Sequence, residues 1–226
     1  LHSLADNAAP STPTIIYPSD NAYVQQLDLN YSSSDPDGNI INYTIFINNT
    51  YNISTQNNIT LNFLDGVYNI SVTAFDQLLY SSNATIIVTK DSTPPEITLI
   101  TPINKSGDNN GNVTFHYSVS DLSNVSNCSL YINDKLNSTN STITKNINQN
   151  FTLANLEAST LNWSVECTDV ANNTLIKENR VLAIIKTINF DGSTTDFSTV
   201  NVFTTPNLIL EKTNKSKIDL QDPIDL

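Results

Sequence analysis

The sequence predicts an all-β chain: two tandem β-sandwich domains followed by a C-terminal β tail. Three observations carry this. Apolar and polar residues alternate with period two in runs such as Leu27-Asp28-Leu29-Asn30-Tyr31-Ser32 and Val113-Thr114-Phe115-His116-Tyr117-Ser118-Val119, which buries one face of a strand. Turn-forming clusters separate the runs, at Asp35-Pro36-Asp37-Gly38-Asn39, Leu64-Asp65-Gly66, Asp108-Asn109-Asn110-Gly111 and Asp134-Lys135. One pattern of segments occurs twice, and no amphipathic helix of useful length interrupts it.

The repeat sets the domain organisation. Thr14–Pro18 matches Thr98–Pro102, Leu29–Ser32 matches Phe115–Ser118, Asn42–Asn48 matches Asn127–Asn133, and Tyr68–Asp76 matches Leu161–Asp169, at offsets of 84, 86, 85 and 93. In a sandwich these are strands A, B, C and F of one module used twice, with about seven short strands in each. The predicted domains are 1–90, with an extended N-terminus over 1–12, then 91–187, then a tail over 188–226 that matches neither module. The tail is either the opening of a third module or a strand that completes a neighbouring subunit. Between the modules, Thr93-Pro94-Pro95 cannot continue a ladder and predicts a short, stiff joint.

Composition narrows the function classes. Of 226 residues only 14% are charged, and the net charge is −12 with ten basic residues. No basic patch is available for phosphates, so the chain predicts no nucleic-acid partner. An anionic membrane surface would repel it, and no apolar run is long enough for a spanning helix, so no membrane insertion is expected within these residues. The chain opens on Leu1, which implies processing or a longer parent.

Several of these segments resemble a known group. Asp91-Ser92-Thr93-Pro94-Pro95, Cys128–Asn133 and Trp163-Ser164-Val165-Glu166-Cys167-Thr168-Asp169-Val170-Ala171-Asn172-Asn173 are similar to the immunoglobulin-like repeats of archaeal cell-surface proteins. Such repeats end a strand with a Cys-x-Asp-x-Ala-Gly-Asn turn; Asn172 stands here where Gly is frequent. Ser34–Asn39 with Tyr43 is similar to the fibronectin type III and polycystic-kidney-disease-type repeats of the same proteins, and Thr194–Phe197 with Leu210–Lys212 looks like segments that follow them. The resemblance covers nearly the whole chain and implies an extracellular, cell-surface location.

The two cysteines, Cys128 and Cys167, fall on the buried phase of strands C and F. They align with Tyr43 and Ala74, so the first module lacks both together, as expected of a bonded pair. Strands C and F are antiparallel neighbours in an immunoglobulin-like sheet, which predicts a disulfide, unlike the antibody bridge between B and F. A disulfide implies an oxidising compartment.

Asn-x-Ser/Thr recurs at Asn30, Asn42, Asn48, Asn52, Asn58, Asn69, Asn83, Asn104, Asn112, Asn124, Asn127, Asn137, Asn140, Asn150, Asn162, Asn172 and Asn214. A chain this rich in Asn, Ser and Thr generates such triplets by chance, but those in strands (Asn30, Asn42, Asn69, Asn162) take the outward phase. N-linked glycans are therefore expected partners at a subset of them.

Catalytic residues are not predicted. His2 lies near the terminus and His116 on the outward phase of a strand, and neither has a partner cluster in sequence. For a cofactor the expectation is none, with calcium as the one candidate. Asp35, Asp37 and Asn39 offer oxygens at i, i+2 and i+4 like the start of a calcium loop, although the loop's later ligands are missing and a tight turn explains the same residues. A calcium ion between the modules would use acids such as Asp91 or Asp121. Phe46, Phe75 and Tyr131 take the outward phase, and Phe46 and Tyr131 are repeat-equivalent, so they form either packing under loops or a contact stripe.

The expected function is a structural building block of an archaeal extracellular assembly, a filament, surface layer or stalk. Its partners would be copies of itself or other surface proteins. Polymerisation by strand donation would use the tail from Ile188 or the N-terminal stretch to Pro13. The alternatives are an adhesin or glycan-binding module, and an accessory region of a secreted enzyme.

Overall fold

The computed structural model describes residues 7–48 and 50–185, and these form strands connected by turns, with no helix. Consequently no helix among them is long and apolar enough to cross a membrane. The tail over 188–226, including Asn214, lies outside the described residues, as does His2.

The first module contains β1 (Thr14–Tyr17), β2 (Ala22–Val24), β3 (Leu27–Ser32), β4 (Asn42–Ile47), β5 (Thr50–Ser54), β6 (Asn58–Leu61), β7 (Gly66–Phe75) and β8 (Ala84–Lys90). One sheet has the order β1-β3-β6 and the other β2-β8-β7-β4-β5. The second module contains β9 (Glu96–Thr101), β10 (Ser106–Asp108), β11 (Val113–Ser120), β12 (Val125–Ile132), β13 (Lys135–Asn140), β14 (Gln149–Leu153), β15 (Ser159–Asp169), β16 (Thr174–Ile176) and β17 (Arg180–Ile184). Its sheets run β14-β11-β9 and β10-β17-β15-β12-β13, with β16 also on β15. The two modules therefore share one topology. The expected seven strands become eight and nine because β2, β10 and β16 span three residues each, too few to show alternation. β2 and β10 pair in parallel with the last strand of their own modules.

The alternation in the sequence becomes inside and outside. In β3, Leu27, Leu29 and Tyr31 are buried and Asp28, Asn30 and Ser32 exposed. The first core gathers these with Ile45, Ile70, Val72, Ala74 and Val88. The second gathers Phe115, Tyr117, Leu130, Trp163, Val165 and Leu182 around both cysteines. Phe115 meets Trp163 edge to face at 5.1 Å between ring centroids, an arrangement that adds to area burial. Arg180, stacked over the Trp163 ring, donates to the carbonyls of Leu99, Ile100 and Pro102 and so ties β17 to the opposite sheet.

Turn chemistry is repeated too. Asn48 and Asn133, just after β4 and β12, each take a left-handed φ, a conformation Asn tolerates. Each side-chain Oδ1 then accepts the backbone N–H of the neighbouring long strand: Asn69 in the first module at 2.9 Å, Asn162 in the second at 2.8 Å. At Gly111, φ is +73°, and a Cβ there would lie 2.5 Å from the Leu156 carbonyl oxygen, so this turn accepts only glycine.

Candidate functional site

The features with the most distinctive chemistry are the joint between the modules and the outward faces of the sheets. Asp91 follows directly on β8. Its N–H donates to the Val24 carbonyl of the first module at 2.9 Å. Its side chain turns the other way: Oδ1 accepts from the Thr93 amide and hydroxyl, and Oδ2 accepts from the Ser123 amide at 3.2 Å. Its carbonyl accepts Asn173 Nδ2 at 2.9 Å. Asp91 is fully buried, so these bonds form away from water. Beside it, Asp65 accepts from Lys90 Nζ at 2.6 Å and from the Ser92 amide and hydroxyl. Burial opposes ionisation of Asp65, but those donors outweigh it and hold its carboxyl below the ordinary range.

Asp91, Asp121 and Asp169 bring one carboxylate oxygen each to within 4.8 Å of one another. Burial pushes the Asp121 carboxyl above its usual range, and the charges of Asp91 and Asp169 add to this, while a bond from the Ser123 hydroxyl works against it. Asp169, at the end of β15, accepts from both the backbone and the side-chain amide of Asn173. Lys145 Nζ sits under the same loop but donates to the carbonyls of Asp121, Leu122 and Ser123. The all-oxygen set suits a hard cation. The sequence had singled out Asp91 and Asp121; the fold adds Asp169, whose repeat partner Asp76 directly follows β7.

The other calcium candidate, Asp35-Asp37-Asn39, forms the turn before β4. Asp35 Oδ1 faces the Asp37 amide, and Asp37 Oδ2 accepts the Ala8 amide at 2.8 Å. Asp35 Oδ2 and Asp37 Oδ1 are buried with no partner among the described residues, and Asn39 is exposed. Among the described residues they do not gather with a third acid as the joint residues do. His116 lies half-buried in β11, opposite Thr101 and Asn150.

Cys128 and Cys167 face each other across β12 and β15 and form a disulfide of 2.03 Å. The equivalent pair, Tyr43 and Ala74, is in the same register across β4 and β7, as the repeat alignment predicts. Of the predicted glycan acceptors, the sixteen within the described residues are exposed or half-buried, none buried; Asn42, Asn127 and Asn140 are the half-buried ones. Asn173, the middle residue of the Asn172 triplet and not itself an acceptor, is buried. The outward aromatics divide. Phe75 stacks on Tyr80 at 4.4 Å, beneath the following loop. Tyr131 is half-buried and donates to Glu166. Phe46 stays 41% exposed.

No family model matches the chain, and no curated protein matches it. Solved structures do. The chain is similar to the fibronectin(III)-like modules of Clostridium thermocellum CbhA, at 12% identity over 77% of this chain and 95% of that one, with a TM-score of 0.46. It is similar to the three N-terminal domains of the highly immunogenic outer capsid protein of bacteriophage RB49, at 12% identity over 80% and 71%, with a TM-score of 0.50. It is also similar to the FN1–FN3 domains of chicken CNTN1, at 10% identity over 80% and 68%, with a TM-score of 0.37. Likeness at these identities concerns the fold alone. The class, as the chain's own sheets define it, is a tandem of two β-sandwich modules of one topology.

Proposed function

We propose that this chain is a structural building block of an extracellular surface assembly, a filament, layer or stalk on an archaeal cell. The observation that carries this reading is the joint. A five-residue connection, 91–95, links the last strand of one sandwich to the first of the next, and its buried Asp91 bonds to both sides. Such a joint suits modules strung in series under load. A disulfide in the second module and acceptor asparagines kept out of both cores support an oxidising, glycan-bearing location.

Assembly through strand donation remains part of the proposal, with the tail from Ile188 as the donor of the two candidates. Asn7 bonds Asp76, Ala8 bonds Asp37, and the Ser11 amide bonds the Ser34 carbonyl at 2.8 Å. The stretch 7–13 is therefore engaged on its own module, so the donor role falls to the tail from Ile188. For the adhesin alternative, Phe46 is the exposed one of the three aromatics, Phe75 and Tyr131 being half-buried.

Electron microscopy of native material taken from the cell surface without refolding tests the reading. Ordered filaments or a lattice with a repeat of one or two sandwich lengths is the expected result. Unordered, isolated chains would overturn it. Deleting residues 188–226 should leave monomers if the tail is the donor, and unchanged assembly would remove it from that role.

A further inference from the structure

The outward face of the first module's larger sheet carries a shallow depression of about 550 Å³ lined by Phe46, Asn48, Asn69, Ser71 and Asn83. Three of these are acceptor asparagines, and they differ in what their amides do. Asn48 is committed at both ends: its Oδ1 holds the Asn69 amide and its Nδ2 donates to the Val67 carbonyl. Asn83 accepts the Thr73 hydroxyl. Asn69 is exposed on β7, two residues before Ser71, with which it shares the outward phase.

Phe46 on β4 is the cross-strand partner of Ser71. That makes Asn69 its diagonal neighbour, at a separation of about 7–8 Å, within reach of a large side chain. The second module repeats this placement. Tyr131 on β12 is the cross-strand partner of Ser164, and Asn162 stands two residues before Ser164 on β15. Asn133 holds the Asn162 amide as Asn48 holds that of Asn69. Each module thus sets an aromatic ring diagonally across from an acceptor asparagine whose own backbone is stapled in place.

We propose that Asn69 carries an N-linked glycan whose first sugar lies on the face of Phe46, and that Asn162 and Tyr131 are the second copy of the same device. The proposal rests on the glycosylated, extracellular reading above. A pyranose presents a row of C–H bonds on one face, and an aromatic ring presents a negative face to them. The sugar would cover the apolar surface that Phe46 leaves open, and the strand pair fixes the angle at which the glycan leaves the sheet. The copies differ in one respect. Ser71 stays half-buried and accepts from the Thr85 hydroxyl. Ser164 is fully buried and donates to the Lys177 carbonyl. The Asn162 triplet is therefore accessible to a transferase only before the second module closes, whereas that of Asn69 keeps its hydroxyl near the surface.

Glycopeptide mass spectrometry on protein purified from its own cells, followed by a double-mutant cycle there, tests this. The forms are wild type, Phe46→Ala, Asn69→Gln and the double variant, with Phe46→Tyr as a ring-retaining control. Melting of the first module is followed by circular dichroism. The expected result is sugar on Asn69, a fall of about 4 °C in Tm from Asn69→Gln when a ring is present at position 46, and a fall under about 1 °C in the Phe46→Ala background. Equal losses in both backgrounds, with Asn69 occupied, would overturn the ring contact. A bare Asn69 with other acceptors occupied would overturn the inference and leave the surface reading intact. A native protein with no sugar anywhere and no surface location would overturn both.

Discussion

Replacing both cysteines by alanine should bring the second module close to its stability limit without affecting the first. The bridge closes a loop of sequence separation 39. On the chain-entropy relation this restricts the unfolded chain by about 13 cal/mol/K, or about 4 kcal/mol at 25 °C. Both side chains are fully buried, so truncation adds a packing loss to that figure. Domains of this size have about 5–15 kcal/mol in total. The chain supplies its own reporter: Trp163 is its one tryptophan, lies fully buried in the second core, and registers unfolding of that module alone. In urea, at about 2 kcal/mol per molar, the tryptophan midpoint should fall by about 2 M. The first module, followed by its tyrosine signal, should keep its midpoint because its equivalent pair is Tyr43 and Ala74. A tryptophan midpoint lowered by less than about 0.5 M would refute the reasoning, as would an equal shift in both modules.

Three further changes test the joint and one turn. Asp91→Ala removes the acceptor from the buried Ser123 amide and should cost about 1–3 kcal/mol, seen as a lower tryptophan midpoint and faster proteolysis between residues 91 and 95; Asp91→Asn, which keeps an acceptor, should lose less. Asp121→Asn should raise the Tm at pH 7, because the raised carboxyl of Asp121 binds its proton more tightly in the folded state. That proton stabilises the fold below the ordinary value of 3.8, and its contribution is lost as pH rises through the folded value, so the variant's advantage should vanish in melts below about pH 3.8. Gly111→Ala forces a side chain into a left-handed turn and against the Leu156 carbonyl, and should lower the tryptophan midpoint by the equivalent of at least about 2 kcal/mol.

Much of this architecture was legible because the repeat could be read against itself. Matched strands and the paired cysteines follow from alternation and alignment, both properties of residues close in sequence. The drift of the offset from 85 to 93 marked a difference without saying where it lay. The structure places most of it in one connection: β5 and β6 are joined by residues 55–57, β13 and β14 by residues 141–148. That longer loop brings Lys145 under the joint, where it holds three successive carbonyls. Asp169 and Asn173 were hidden for the same reason. They lie about eighty residues from Asp91 in sequence, and only closure of the sandwich puts them together. The three-residue strands β2, β10 and β16 were illegible because a pattern of period two needs more than three positions to appear.

The ends of β7 and β15 explain how one module design serves two neighbourhoods. Asp76 and Asp169 are repeat-equivalent, and each caps the turn that follows it. Asp76 Oδ1 accepts the amides of Leu78 and Leu79, and Asp169 Oδ1 accepts that of Asn173. Each also gives its second oxygen to an asparagine side chain, but the source differs. In the first module the donor is Asn7, from the segment entering the sandwich. In the second it is Asn173, from the turn itself, and Asn173 donates in addition to the carbonyl of Asp91. The same carboxylate therefore anchors the incoming chain directly in one module and through an intermediary in the other. The difference follows from what enters. Asn7 brings its own amide donor, whereas Asp91 brings a carboxylate that lies within 4.8 Å of the Asp169 carboxylate, and Asn173 links the two residues by donating to the Asp91 carbonyl and to Asp169 Oδ2. The joint is thus a variation on the module's ordinary entry, made by one acid in the connection and one asparagine in the turn that receives it.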